Sequence, residues 1–95
     1  MIIETLEKDL NGKYYLEVNL LEEENKYLLD FYPYIIFTYN NGNEKYKMLQ
    51  TIEDERLNFK VEINNNYINN KIFDLYQKYL RNEISKEEFI ELIKE

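Results

Sequence analysis

Two parts of the chain differ in how hydrophobic and polar positions alternate. Residues 1–66 favour a period of two, which is typical of β-strands with one buried face. Residues 69–95 repeat apolar positions every three or four residues, which is typical of amphipathic helices. The pattern predicts one α+β domain over residues 1–95, in which a β-meander forms an antiparallel sheet of four to five strands. A C-terminal helical hairpin follows it and packs on one face of the sheet.

Turn signals separate the predicted strands. Asn11-Gly12 tolerates the positive φ angles of a type I′ hairpin turn, a second signal lies at residues 40–43, and the charged residues 53–56 form a third break. The alternation between these breaks assigns a set of apolar side chains to one face of the sheet. These are Tyr14, Leu16, Val18, Leu20, Leu57, Phe59, Val61 and Ile63.

The segment 21–32 is compatible with two interpretations. As a strand, it alternates apolar and polar residues after a loop at 22–25. As a helix, it begins at a cap on Asn19 and stops before Pro33. The dense aromatic residues and the period of two favour the strand. Pro33 is then expected at a bulge or at an edge, because proline donates no hydrogen bond to a neighbouring strand.

The C-terminal part carries specific helix-boundary signals. Asn69 or Asn70 caps a first helix, and Asn82 suits the left-handed position that ends it. Ser85 and Glu88 form the capping box of a second helix of about ten residues, too short to persist alone in water. The second helix must therefore pack on the first helix, on the sheet or on a partner. The residues predicted to meet the sheet are Ile72, Leu75, Tyr79, Phe89 and Ile93.

Composition removes most catalytic chemistry. The chain has no cysteine and no histidine, which excludes disulfides, thiolate metal sites and the commonest general base. Its one serine, Ser85, belongs to the capping box, and its two glycines lie in turn signals instead of a phosphate-binding loop. We expect a protein that is not an enzyme and has no cofactor and no metal. A small enzyme that uses paired carboxylates is the third hypothesis.

The charge distribution points to a protein partner. The net charge is −7, and residues 1–30 alone carry eight acidic and three basic side chains. No segment is basic, so we expect no direct binding to nucleic acid. Acidic side chains among tyrosines suit a basic surface on a nucleic-acid-handling protein, where carboxylates occupy phosphate positions. The alternative is that the charge serves solubility alone. The first-choice partner contacts are Tyr15, Glu17, Glu22, Glu23 and Glu24.

The sequence offers no membrane-targeting signal. Its N-terminal residues form neither a basic nor an apolar block, so we expect no signal peptide. The longest charge-free stretch, residues 31–43, is too short to span a bilayer and contains Pro33. We therefore expect a soluble, cytoplasmic protein without a membrane partner.

Residues 84–89, with the sequence Ile-Ser-Lys-Glu-Glu-Phe, open the second predicted helix. Together with the rest of Leu75–Lys94, this segment resembles the short C-terminal helical hairpin known as SHOCT. It departs from the family at Asn82-Glu83, where a glycine is usual. The resemblance implies an oligomerisation or scaffold role without catalysis, so a homodimer formed through the hairpin is the alternative function.

In size, acidity and AT-rich codon character, the whole chain is similar to phage anti-defence inhibitors, including anti-CRISPRs. This similarity of type implies an inhibitor and names no target.

Overall fold

The computed structural model describes residues 1–95, which form a five-stranded antiparallel sheet and two helices. The strands are β1 (Ile2–Asp9), β2 (Tyr14–Glu23), β3 (Lys26–Asn41), β4 (Glu44–Thr51) and β5 (Phe59–Ile63), and the helices are α1 (Lys71–Leu80) and α2 (Lys86–Lys94). Both helices lie on one face of the sheet. The predicted α+β class, with an antiparallel sheet followed by a helical hairpin, is confirmed.

The 16-residue strand β3 organises the sheet. β2 pairs with it along residues 26–35 on one edge. On the other edge, β4 pairs with residues 34–41 and β5 with residues 27–31. The first four strands thus follow the order of a meander, whereas β5 returns to the central strand instead of pairing with β4.

Residues 21–32 are extended, so the strand interpretation is confirmed and the helical alternative is wrong. The predicted loop at 22–25 is too long, because only Glu24 and Asn25 separate β2 from β3. Their φ angles are 49° and 65°. Two successive positive φ angles are the pattern of a type I′ turn, whose twist matches that of the flanking strands.

The Asn11-Gly12 turn differs from the type I′ prediction, which is wrong at this position. Only Gly12 has a positive φ, at 80°. The Asn11 side-chain oxygen instead accepts hydrogen bonds from the backbone amides of Lys13 and Tyr14, both at 3.0 Å. The loop is therefore held by a side chain that substitutes for a backbone acceptor.

Pro33 lies inside the central strand β3, in a regular stretch of the register, and is buried, so the expectation of a bulge or an edge is wrong. Its carbonyl oxygen accepts a hydrogen bond from the amide of Ile52 at 3.1 Å, on the edge of β3 that β4 and β5 share. The proline nitrogen points to the same edge, at the gap between the end of β4 and the start of β5. Proline has no N–H to return this hydrogen bond, and the Ile52 carbonyl accepts from the Asn58 side-chain nitrogen at 3.3 Å.

The core lies between the sheet and the helices and is rich in aromatic rings. The Phe31 ring stacks on Tyr76 at a centroid distance of 5.8 Å and meets Phe89 edge-on at 5.3 Å. The Tyr76 hydroxyl donates to the carbonyl of Leu57 at 2.7 Å, which satisfies this buried polar group. The predicted face residues Leu16, Val18, Leu20, Leu57, Val61, Ile63, Ile72, Tyr79 and Phe89 are in the core cluster, and Tyr14, Phe59, Leu75 and Ile93 pack against it.

The helix boundaries follow the predicted signals. The Ser85 hydroxyl accepts from the Glu88 amide at 3.1 Å, and the Glu88 carboxylate accepts from the Ser85 amide at 3.3 Å, so the capping box is confirmed. Asn82 has the predicted left-handed conformation, with φ at 59°. At the start of α1, the Asn69 side chain accepts from the amide of Lys71 at 3.0 Å. Neither helix has the length and apolar character needed to cross a membrane.

Candidate protein-binding surfaces

No helix covers the face of the sheet opposite α1 and α2, although Asn19 and Leu21 are buried on it. Tyr15 and Glu17 project from β2 on this face. The residues that alternate with them, Leu16 and Val18, point into the core on the other face. The register places Glu17 opposite Tyr32 and Tyr15 opposite Tyr34, and it places Glu7 of β1 opposite Glu17. Residues opposite each other in neighbouring strands point to the same side. We name the set Glu7, Tyr15, Glu17, Tyr32 and Tyr34 the acidic tyrosine face.

The three tyrosines of this face form one cluster of rings. Tyr15 meets Tyr34 edge-on at a centroid distance of 6.1 Å, and Tyr32 lies 5.3 Å from Tyr34. All three side chains are half-buried. Because the rings support one another on a rigid sheet, they offer a partner a large preformed contact area at a low cost in side-chain entropy.

A buried side chain orients one of the carboxylates. Asn19 is only 7% exposed, and its side-chain nitrogen donates to the Glu17 carboxylate at 3.0 Å. The Thr5 hydroxyl donates to the Asn19 side-chain oxygen at 2.6 Å. This short network connects β1 to β2 and fixes the Glu17 carboxylate on the uncovered face.

The carboxylates of the acidic tyrosine face have no cationic partner within the chain. The two ion pairs of the protein, Arg56 with Asp54 and Arg81 with Glu83, lie elsewhere. Glu7 and Glu17 stand directly opposite each other, and like charges in that position destabilise a sheet by roughly 0.2–1 kcal/mol. A cationic group from another molecule would therefore relieve an unfavourable interaction.

Two tyrosines of this face, Tyr15 and Tyr34, have a raised pKa. Burial, followed by the nearby carboxylate of Glu7, raises the pKa of Tyr15. Burial and the charge of Glu17 raise the pKa of Tyr34. A tyrosine of ordinary pKa already carries its proton at neutral pH, and the shift moves ionisation of these two hydroxyls further into the alkaline range. At the border of the face, burial raises the pKa of Asp30, and Lys60 on β5 offsets only part of that effect.

The structure brings together two of the five predicted contact residues. Tyr15 and Glu17 share the acidic tyrosine face, whereas Glu22, Glu23 and Glu24 are exposed at the β2–β3 turn. Glu22 follows Glu17 by five positions, so the turn lies roughly 16 Å away at the usual strand rise. The predicted group is therefore two separate acidic sites and not one.

Sequence reasoning missed Glu7, Tyr32 and Tyr34, because cross-strand neighbours follow only from the register. The signal that could have revealed the two tyrosines is the two-residue turn. That turn places Glu23 opposite Lys26. Each step back along β2 is then matched by one step forward along β3, so the residue numbers of every facing pair sum to 49. Glu17 then faces Tyr32 by arithmetic.

A second uncovered surface projects from the body of the sheet. We name residues 34–51, which comprise the second half of β3 and all of β4, the β3–β4 ribbon. Beyond Ile36, β3 pairs with β4 alone, and every residue of β4 is exposed. The ribbon contributes to the elongated shape of the molecule, which measures 51 × 31 × 22 Å.

The two faces of the ribbon differ in chemistry. One face carries Ile35, Phe37 and Tyr39, which lie on the same side of β3 as the core residue Phe31. On β4, Met48 faces Phe37 and Tyr46 faces Tyr39. The reverse face carries Ile36, Thr38, Asn40, Lys45, Lys47 and Leu49. We name the set Ile35, Phe37, Tyr39, Tyr46 and Met48 the apolar ribbon face.

The interior offers one cavity, between β3, the segment 65–69 and the helices. Its volume is about 40 Å³, whereas small-molecule sites commonly measure roughly 300–1,000 Å³. No group of three or more acidic side chains is arranged to hold a metal ion.

No protein-family model matches this chain, and no curated protein or solved structure matches it either.

Proposed function

We propose that this protein acts by binding another protein, without catalysis, and that the acidic tyrosine face meets a basic surface of the partner. The observation that carries the proposal is the unpaired Glu7 and Glu17 beside a cluster of three tyrosine rings on an uncovered sheet. Carboxylates accelerate the encounter with a basic surface, and partly buried aromatic rings supply the anchoring contacts.

The partner class follows from the same chemistry. Proteins that handle nucleic acids present lysine and arginine side chains to phosphates and aromatic side chains to bases. Glu7 and Glu17 suit the phosphate positions of such a groove, and the tyrosine rings suit the base positions. We therefore propose an inhibitor of the anti-defence, anti-CRISPR-like type, which acts in the cytoplasm by occupying a nucleic-acid groove.

The packing does not favour the alternative, homo-oligomerisation through the C-terminal hairpin. The apolar side chains of that hairpin already lie in the core, with Tyr76 and Phe89 fully buried against Phe31. The outward faces of α1 and α2 are mostly polar. An interaction through the hairpin would have to use these polar faces.

Charge reversal tests the proposed function. A partner is first captured with the wild-type chain, and its affinity for the double variant Glu7→Lys/Glu17→Lys is then measured. The matched control is Glu91→Lys/Glu95→Lys, because it makes the same charge change on exposed residues of the helical layer. We expect the face variant to lose at least about tenfold in affinity at low salt and the control to bind like the wild type. Added DNA or RNA should compete with the wild-type chain for the partner.

A third variant separates the two acidic sites. Reversal of Glu22, Glu23 and Glu24 should weaken binding less than reversal of Glu7 and Glu17, because the turn lies outside the tyrosine cluster. Equal affinity of the face variant and its control, or a larger loss from the turn variant, would contradict the role of the acidic tyrosine face.

A further inference from the structure

We propose that the partner binds by β-strand addition, in which an extended segment with basic side chains at alternate positions pairs antiparallel with the free edge of β1. This inference rests on the proposed function, because it specifies how a basic partner approaches the acidic tyrosine face. Recognition then combines backbone hydrogen bonds with charge pairs on one side of the added strand.

The hydrogen bonds between β1 and β2 leave one set of backbone groups in β1 without a partner. The Leu10 amide donates to the Tyr14 carbonyl at 2.9 Å, so this pair is of the hydrogen-bonded type. Because the two types of pair alternate along an antiparallel ladder, the even-numbered residues in the regular part of β1 bond to β2 and the odd-numbered ones do not. The N–H and C=O groups of Thr5, Glu7 and Asp9 therefore point away from the sheet.

This edge of β1 is open and regular. β1 is the first strand in the order of the sheet, and it contains no proline. An irregularity between Ile2 and Glu4 confines the regular edge to residues 5–9. Lys8, the one cation of β1, lies over the Phe73 ring at 6.0 Å on the side of the helices and does not occupy the edge. Lysine, proline and bulges are the usual protections of an edge strand, and residues 5–9 lack them at the outward positions.

Charge distinguishes β1 from the other strands that have an unpaired edge. β1 carries three acidic side chains and one basic side chain, a net charge of −2. β4 carries one acidic and two basic side chains, a net charge of +1, and its outward backbone groups include those of Lys45 and Lys47. β5 has only five residues, with one charge of each sign. A basic segment is therefore attracted to β1 and not to β4 or β5.

The register of β1 decides which side chains of the added strand are basic. Glu7 stands opposite Glu17, and Asp9, two residues on, projects to the same side of the sheet. Cations opposite Glu7 and Asp9 form cross-strand charge pairs, which stabilise a sheet. The residue opposite Leu6 lies on the side of the helices and is apolar, because Leu6 packs against the core. From its N-terminus, an antiparallel strand thus reads basic, variable, basic, apolar.

The same charges decide against a second copy of this chain as the added strand. A second β1 would place acidic side chains against acidic ones. β4 of a second copy carries +1, but the remainder of that copy carries −8, so the two copies repel each other. A basic partner meets no such repulsion, and its cations also relieve the unfavourable contact between Glu7 and Glu17.

A peptide with this pattern tests strand addition without knowledge of the partner. The probe is the capped peptide Arg-Thr-Arg-Val-Thr, and NMR of the isotope-labelled protein follows its binding. We expect saturable shifts that are largest in β1, a dissociation constant of about 1 mM, and slower hydrogen exchange of the Glu7 amide.

Two N-methylated forms of the peptide are matched in charge and differ only in the edge that they block. N-methylation of both arginines removes amides that face β1 and should weaken binding at least about tenfold. N-methylation of the residue that follows each arginine removes amides that point away, and this peptide should bind within about twofold of the unmodified one.

Proline variants test the same edge with the captured partner. Glu7→Pro removes the outward N–H and the charge, whereas Glu7→Gln removes only the charge. An edge strand tolerates proline at such a position, and circular dichroism verifies the fold. We expect Glu7→Pro to bind the partner at least about tenfold more weakly than Glu7→Gln. Lys47→Pro, at an outward position of β4, should bind like the wild type.

Equal binding of the two N-methylated peptides, or no binding of the unmodified peptide at about 10 mM, would overturn strand addition and leave the proposed function intact. Equal affinity of Glu7→Pro and Glu7→Gln for the partner would do the same, and so would a loss confined to Lys47→Pro. If Glu7→Pro does not fold, the two N-methylated peptides decide. An unchanged affinity of Glu7→Lys/Glu17→Lys for the partner would instead overturn the proposed function itself.

Discussion

The two halves of β3 carry the same alternation but end in different environments. Over residues 26–33, Phe31 is completely buried beneath the helices. Over residues 34–41, Phe37 lies on the same side of the strand and is 38% exposed. Alternation thus indicates which face of a strand is apolar, but the cover comes from other elements, and here α1 and α2 reach only the first half.

We expect the largest difference in stability between alanine substitutions of the two phenylalanines of β3. Phe31→Ala should lower the free energy of unfolding by about 3–5 kcal/mol, because it opens a cavity in the aromatic core. Phe37→Ala, on the same face of the same strand, should change it by less than about 0.5 kcal/mol. Urea denaturation measures both, and similar losses would contradict the distinction between the two halves.

Features set by short-range chemistry could be predicted from the sequence. Ser85 and Glu88 are three residues apart, so each can reach the backbone amide of the other without any tertiary contact. Asn82 needs only its own tolerance of a left-handed backbone. The alternation of Leu16, Val18 and Leu20 is likewise a local property, and it assigned these residues to the core face correctly.

Features set by register and by competition between strands could not be predicted. The position of Glu7 beside Glu17 depends on how β1 aligns with β2, which no single segment encodes. β3 also continues through Pro33, a residue that normally interrupts a strand and here lies between the stretches that pair with β4 and β5. The projection of the ribbon follows from β5 taking the place on β3 that a longer β4 would otherwise occupy.

The second prediction concerns the helices that cover the first half of β3. Tyr76→Phe removes the hydrogen bond to the Leu57 carbonyl and should lower the free energy of unfolding by about 1–2 kcal/mol. Amide hydrogen exchange in the ribbon tip should be unchanged in this variant, because residues 38–47 are stabilised by their own pairing. Faster exchange throughout the ribbon would mean that the two halves unfold as one unit.

The same tyrosine predicts how stability depends on alkaline pH. Burial raises the pKa of Tyr76 above its ordinary value of 10.0. As pH rises past 10.0, the unfolded chain loses this proton while the native chain retains it, so the free energy of unfolding falls. Denaturation between pH 8 and about pH 11 should show this loss for the wild type and a shallower loss for Tyr76→Phe. Equal slopes would contradict it.

The third prediction uses the capping box that fixes the start of α2. Ser85→Ala removes the acceptor for the Glu88 amide and should lower the free energy of unfolding by about 1 kcal/mol. Ser85→Thr retains a capping hydroxyl and should lose a few tenths of that value. Since α2 covers only the body, hydrogen exchange should quicken at Phe31 and not at Thr38. The opposite order would show that α2 also supports the ribbon.

The smallest effect belongs to the uncovered side of the body, where Asp30 lies beside Lys60. Burial raises the pKa of Asp30 above its ordinary value of 3.8 despite the lysine, so the native chain binds this proton more tightly than the unfolded chain. Stability therefore falls as pH rises from 3.8 through the raised pKa of Asp30, and above that pH range the charged carboxylate is unfavourable. Asp30→Asn should stabilise the protein at pH 7 by less than about 1 kcal/mol, since the side chain is partly exposed, and the gain should disappear near pH 3.

Glu62→Gln, which removes the same charge from an exposed position on β5, is the control. A destabilised Asp30→Asn variant at pH 7 would show that the attraction of Lys60 outweighs the burial of the carboxylate.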